Sequence, residues 1–267
     1  PKNNQTNLKI YFAKQSKLIA KNSGLDTKFI PEAKQIDEKS RVKFLVFRKA
    51  RAILSENPKA SLSLANSILD FFQGDLAALQ LKGEALAALK RHDEALKSFN
   101  DSLKVQPKLA QAHVGLGLVF EEVGEHYEAE KYHKKAIHIN PNLCEAYNNL
   151  GNTQHNLGKF TAAEKSFSSA IELSPNFAEA HSNLGATLDQ LGKQDEAERS
   201  LRRAVKLNPS YSQAHHNLAS HLVSSKNMRE AIKHYNLSEL HESKVALTKI
   251  LYQINDKESL LAQLDKH

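Results

Sequence analysis

Residues 144–177, CEAYNNLGNTQHNLGKFTAAEKSFSSAIELSPNF, are followed by residues 178–211, AEAHSNLGATLDQLGKQDEAERSLRRAVKLNPSY, and the two align without a gap. Leu150-Gly151 returns as Leu184-Gly185, Gly158-Lys159 as Gly192-Lys193, and Ser174-Pro175 as Asn208-Pro209. The period is 34 residues, and it continues outward in both directions. Pro107 and Pro141 precede Pro175 and Pro209 at that spacing, and Gly83 and Gly117 precede Gly151 and Gly185. Ala95, Ala129, Ala163, Ala197 and Ala231 form another such row. The large residues Phe99, His133, Phe167, Leu201 and Tyr235 form a third, and Ser102, Ala136, Ala170, Ala204 and Ser238 a fourth. Five copies follow one template, 76–109, 110–143, 144–177, 178–211 and 212–245, the last without its Gly and Pro. A fixed period of this length marks a repeat architecture.

Within one copy the pattern is helical. Tyr147, Leu150, Gly151 and Gln154 fall at i, i+3, i+4 and i+7, one face of a first helix that Gly158 ends. Ala163, Phe167, Ala170 and Ile171 give the second helix its face, and Pro175 ends the copy because proline cannot continue a helix interior. Small residues on the facing sides, Gly151 against Ala163 and Ala170, allow close approach, and Phe167 fills the gap. One such hairpin buries too little apolar surface to stand alone, so the copies must stack.

The array resembles the tetratricopeptide repeat family. The resemblance rests on the Leu-Gly pairs, the Gly-Lys before each second helix, the Ala and Phe rows, and the closing Asn140-Pro141, Ser174-Pro175 and Asn208-Pro209. It departs from the family pattern in lacking Trp; Leu79, His113, Tyr147, His181 and His215 stand at that position. The resemblance implies an all-α, right-handed superhelical solenoid of antiparallel helix pairs. Upstream, Phe44, Phe47, Ala60, Leu64, Ser67 and Ile68 fit a degenerate copy over 41–75, with Pro58 between its helices and Gly74 after them. Downstream, over 246–267, Val245, Leu247, Ile250, Leu251 and Ile254 predict a C-terminal capping helix, and Leu260, Leu261 and Leu264 a further stripe packed on it. Terminal repeats are atypical for this reason.

Charge separates the first segment from the rest. Residues 1–51 carry 13 Lys/Arg against 4 Asp/Glu, while residues 52–267 carry 24 against 26, so the net +7 belongs to the N-terminal segment. Residues 1–40 read as a basic segment with an amphipathic helix over about 8–21, expected to fold back on the mildly acidic stack rather than anchor stably in a membrane. A near-neutral repeat region argues against specific nucleic-acid binding. No apolar run of 18 residues and no signal-like leader occurs, and the single Cys144 excludes an internal disulfide, which points to the cytoplasm.

In this family the first helices line a concave groove for extended peptides, and the resemblance implies the same here. Asn148, Asn149, Asn152 and Asn156 lie on that side of one copy, Ser182, Asn183 and Gln190 on the next, and Gln213, His216 and Asn217 on the third. Asn149, Asn183 and Asn217 recur at the period, forming a ladder whose amides could pair with both groups of a peptide unit. It resembles the ladder of O-linked N-acetylglucosamine transferase superhelices, where such Asn residues hold substrate chains. Members that grip a terminal carboxylate use Lys and Arg on these helices. This face has Glu121, Glu122, Glu145, Glu179 and Asp189 instead, so a free C-terminal carboxylate is disfavoured.

His215, His216 and His221 lie close enough to suggest zinc, yet His113, His181 and His215 share one packing position, which makes them structural. Cys144 has no cationic neighbour to activate it. No phosphate loop, nucleophile elbow or zinc-protease motif is present, so neither cofactor nor metal is expected and no catalytic constellation is found. The function expected is a noncatalytic scaffold that binds an extended segment of a protein partner in a polar groove. The alternative is the recognition half of a larger enzyme, a glycosyltransferase, sulfotransferase or 2-oxoglutarate oxygenase, with its catalytic domain after His267.

Overall fold

The computed structural model describes residues 38–253. The basic segment expected to carry a helix at 8–21 and the stripe Leu260, Leu261 and Leu264 lie outside them. Among the described residues there are thirteen α-helices and no strand. They are α1 (Glu38–Ala52), α2 (Pro58–Phe71), α3 (Leu76–Ala88), α4 (His92–Val105), α5 (Ala110–Glu122), α6 (His126–Ile139), α7 (Cys144–Asn156), α8 (Phe160–Leu173), α9 (Ala178–Gln190), α10 (Gln194–Leu207), α11 (Ser212–Ser224), α12 (Met228–Leu237) and α13 (His241–Gln253). The chain divides between Val119 and Phe120, inside α5, into two compact units. Each is an all-α solenoid of successively packed helices, α1 to α4 in the first unit and α6 to α13 in the second.

The turn inside each copy has one solution. The second of its three connecting residues, Lys90, Gly124, Gly158, Gly192 or Lys226, has φ between +58° and +82°. The following N–H reaches back five residues, as Lys159 N to Gln154 O at 2.8 Å and Lys193 N to Leu188 O at 2.9 Å, and Gly158 N donates to His155 O at 2.9 Å. This pair of bonds is a Schellman closure, which needs a left-handed residue. Glycine meets that need without cost in the three middle copies, whereas Lys90 and Lys226 adopt it against their Cβ. With only three residues between helices, each pair must run antiparallel.

The Ala row lies at the contact between helices: Ala95, Ala129, Ala163, Ala197 and Ala231 are all 0% exposed. Phe167 fills the space beside Gly151 so closely that a Cβ there would stand 2.6 Å from its Cε1. His133 takes the same row as Phe99 and Phe167 and is itself 0% exposed.

Two ends depart from the sequence expectation. In α1 and α2 the buried stripe is Val42, Val46 and Ala50 with Ser61, Leu62, Ala65 and Ile68. Of the expected residues, Ile68 is buried and Phe47 and Leu64 pack partly buried against the same clusters, whereas Phe44 is 55% exposed and Ser67 lies on the surface. The connection of five residues between α1 and α2, against three within each later pair, departs from the period. Pro58 starts α2 rather than standing between helices, with the Asn57 side chain accepting from Ala60 N at 3.0 Å. At the other end α12 stops at Leu237, ten residues long where its counterparts have fourteen. With no proline at this point, the chain restarts at His241 as α13. Ser243, Leu247, Ile250 and Leu251 face the core around Ala219 and Tyr235. Val245 lies two residues off that stripe, about 200° around the helix, and is exposed.

Candidate functional site: the first-helix face of the second unit

Three first helices, α7, α9 and α11, lie side by side in the second unit, α9 touching both others. None carries Lys or Arg. Glu145, Asn149, Asn152 and Asn156 follow one line along α7 at i, i+4, i+7 and i+11; Glu179, Asn183 and Gln190 occupy the corresponding places on α9, and Gln213 and Asn217 on α11.

The ladder is not uniform. Asn183 Nδ2 donates to Asn148 Oδ1 at 3.2 Å, and Asn217 Nδ2 to Ser182 Oγ at 3.0 Å, so two rungs are tied across the contact between successive copies. Asn217 Oδ1 also accepts from Gln213 Nε2 at 2.9 Å. Asn149 and Asn152, half-buried, and Asn156 and Gln190, exposed, have side-chain amides that make no hydrogen bond within the described chain. Asn148, expected on the open face, is 2% exposed and donates to Glu179 Oε1 at 2.9 Å. His216 is turned toward α13: its Nδ1 lies 2.7 Å from Ser243 Oγ and its ring meets Tyr235 edge-on at 5.7 Å.

A second line of contacts escaped the sequence reading. Thr153 Oγ1 donates to Glu121 Oε1 at 2.6 Å, His155 Nδ1 lies 3.0 Å from Thr187 Oγ1, and His221 Nδ1 lies 2.7 Å from Asp189 Oδ1. Glu121, His155 and Asp189 share one place in the repeat, and Thr153, Thr187 and His221 another. The available signal was that both places are polar in the two middle copies, Thr153 with His155 and Thr187 with Asp189, whereas Ala85, Ala87, Val119 and Val223 stand at these places in the others. Two of the carboxylates expected to colour the face are therefore already engaged. Burial pushes the Glu121 carboxyl upward, against the hydrogen bond from Thr153. Burial, then the Glu179 charge, pushes the Tyr211 hydroxyl up to about 12.

A parallel stitch joins a second helix to the N-cap of the second helix one copy on. Lys159 Nζ lies 2.6 Å from Glu130 Oε2 and Lys193 Nζ 2.6 Å from Glu164 Oε1, again one period apart. Burial works to raise the Glu130 carboxyl, yet hydrogen bonds from Lys134 and Lys159 outweigh it and hold the group at about 2.

The three clustered histidines diverge. His215 Nε2 lies 3.0 Å from Pro209 O and its ring stacks on His234, His216 turns to Ser243, and His221 sits between Asp189 and Glu198. His181 meets Pro175 O at 3.0 Å, repeating the His215 contact one copy earlier. Among the described residues no group of three His, Cys, Asp or Glu side chains is placed to hold a metal ion. The Cys144 thiol is pushed up by burial and by its contact with Glu145, the reverse of activation. No helix among the described residues is long and apolar enough to cross a membrane.

Family models described as tetratricopeptide repeat match residues 81–143, 144–177 and 178–211. Solved structures share the fold. The anaphase-promoting-complex assembly Cut9–Hcn1 superposes with a TM-score of 0.68 at 18% identity, over 85% of this chain and 49% of that one. PilF of Pseudomonas aeruginosa gives 0.63 at 19% identity, over 70% and 88%. YrrB, described as a repeat protein of the same kind with an unusual peptide-binding site, gives 0.51 at 19% identity, over 76% and 98%. No curated protein matches the chain in sequence.

Proposed function

Because the chain belongs to the tetratricopeptide repeat family, whose members generally mediate protein–protein interaction, we propose that its second unit binds an extended segment of a protein partner along α7, α9 and α11 without itself catalysing a reaction. One observation carries this reading: Asn149, Asn152 and Asn156 hold three amides on one line of α7, none of them used inside the protein. Asn149 and Asn156 are seven residues apart, about 10 Å along the helix axis. An extended chain covers that length in about three residues. Each amide offers a donor and an acceptor to a peptide unit, so the line recognises backbone more than side-chain identity. The peptide-binding site ascribed to YrrB supports the reading at the level of fold. Gln190 extends the open amides onto α9, while Asn183 and Asn217 serve chiefly to hold successive copies together.

The test is a peptide selected against the full chain from a random displayed library. Replacing Asn149, Asn152 and Asn156 together by Ala should weaken it by one to three decades, at about 0.5–1.5 kcal/mol per lost pairing. Undiminished binding would show that these amides are only solvated surface.

A further inference from the structure

The hydrogen-bond polarity of the face is set from beneath. Glu179's carboxylate only accepts, so the Asn148 side chain that meets it at 2.9 Å must present Nδ2. Its other end, Oδ1, then only accepts, which obliges Asn183 to offer Nδ2 at 3.2 Å. Asn183 is thereby turned with its nitrogen inward, and its carbonyl oxygen is the end left for a partner. Asn148 is 2% exposed and sits at the contact between α7 and α9, so it has no freedom to reverse this order. The next copy shows the same device with a different residue: Ser182, 0% exposed, accepts from Asn217 Nδ2.

Resting on the groove reading above, we propose that Asn148 is the positioning residue of this face. It fixes Glu179 and turns Asn183 so that α9 presents acceptors, and the face thereby selects an extended segment carrying Lys or Arg. The surroundings agree with that preference. Every Lys and Arg on the helices from α6 to α12 belongs to a second helix, so no cation on α7, α9 or α11 competes for these acceptors. The Tyr211 hydroxyl is raised first by burial and then by the charge of Glu179, which lies on the same side.

The probes are two blocked ten-residue peptides, one alternating Lys and Ser and one alternating Glu and Ser, titrated against the full chain by fluorescence anisotropy at low salt. The chain's net charge of +7 would by itself favour the Glu peptide. The proposal expects the Lys peptide to bind more tightly. Asn148→Ser keeps an acceptor for Asn183, as Ser182 does for Asn217, but replaces the amide that reaches Glu179 with a shorter hydroxyl. It should reduce the Lys-over-Glu affinity ratio about three- to tenfold. A purely structural role would weaken both peptides alike and leave the ratio fixed. Glu179→Gln retains an acceptor for Asn148 while removing the charge, and should lower the ratio as well even if the first variant folds poorly. Preference for the Glu peptide, or a ratio unmoved in both variants, overturns the inference. If the library-selected peptide still depends on Asn149, Asn152 and Asn156 in that event, the groove reading survives; if no peptide binds at all, both fail.

Discussion

His133 stands in the row otherwise occupied by Phe99, Phe167, Leu201 and Tyr235, fully buried, with no hydrogen-bond partner for either ring nitrogen. Burial alone lowers its pKa to about 4. In the unfolded chain the same imidazole titrates near 6.5. Between those values the unfolded state binds a proton that the folded state refuses, so stability falls as pH drops from 6.5 to 4 and levels below. At about 1.4 kcal/mol per unit the full loss is about 3 kcal/mol, and about 2 kcal/mol of it is reached by pH 5. Glu130, one turn away on α6, has its carboxyl held at about 2, so its contribution is lost only between its ordinary 4.5 and 2, below most of the His133 window. His133→Phe, which copies the neighbouring repeats, should stabilise the protein at pH 7 by removing two buried unsatisfied nitrogens, by about 1–3 kcal/mol. Its advantage over the parent should widen by about 2 kcal/mol at pH 5. His133→Leu, which copies Leu201, separates this effect from overpacking by the larger ring. The assay is denaturant unfolding at pH 7, 6 and 5, with amide hydrogen exchange followed on peptides from α6. An equal gap between parent and both variants at all three pH values would refute the reasoning.

Lys90→Gly and Lys226→Gly should each stabilise by about 0.5–1 kcal/mol, because both residues hold a left-handed backbone that glycine adopts freely; a lowered melting temperature would contradict this. Gly158→Ala, at the same turn, should cost about 1 kcal/mol by the converse argument. Gly151→Val should cost about 1–3 kcal/mol, since even a Cβ there meets Phe167 at 2.6 Å, and chemical denaturation reads it directly. Replacing Asn183 and Asn217 by Ala should lower stability by about 0.5–1.5 kcal/mol for each lost bond, whereas the open α7 amides should leave the melting temperature nearly unmoved when replaced.

The period of 34 residues made the middle of the array legible because every constraint recurs there. The Ala contact is met by one residue in all five copies, and the left-handed turn and the Gly fit by glycine in most of them, so these demands are visible in one sequence. The ends were less so. The five-residue connection after α1 departs from the period and leaves Phe44 and Ser67 outside the core, and the loss of proline after Leu237 let α13 begin before the expected boundary, with Ser243 rather than Val245 on its buried side. The site was legible in residue type and not in engagement. Periodicity aligned Asn149, Asn183 and Asn217 equally, yet whether a rung is open depends on the residue across the contact, and that pairing runs at a spacing of 35.

That offset bears on how one surface serves two purposes. A repeat held only by apolar contacts would tolerate small rotations between copies, since dispersion and hydrophobic burial have little directionality. Here two polar lines cross the α7–α9 and α9–α11 contacts, one through Asn148–Asn183 and Ser182–Asn217, the other through His155–Thr187 and Asp189–His221. Hydrogen bonds weaken steeply with angle, so two lines on each contact restrict rotation as well as separation. The binding face therefore inherits its geometry from side chains that no partner touches. Open amides on α7 then lie on a support that is already ordered, and a bound segment need not supply the energy of ordering it. If the polar lines had only filled space, isosteric apolar replacement, Thr187→Val in particular, would leave peptide affinity and hydrogen exchange in α9 unchanged. The expected result is faster exchange in α9 and a weaker peptide, with helix content retained.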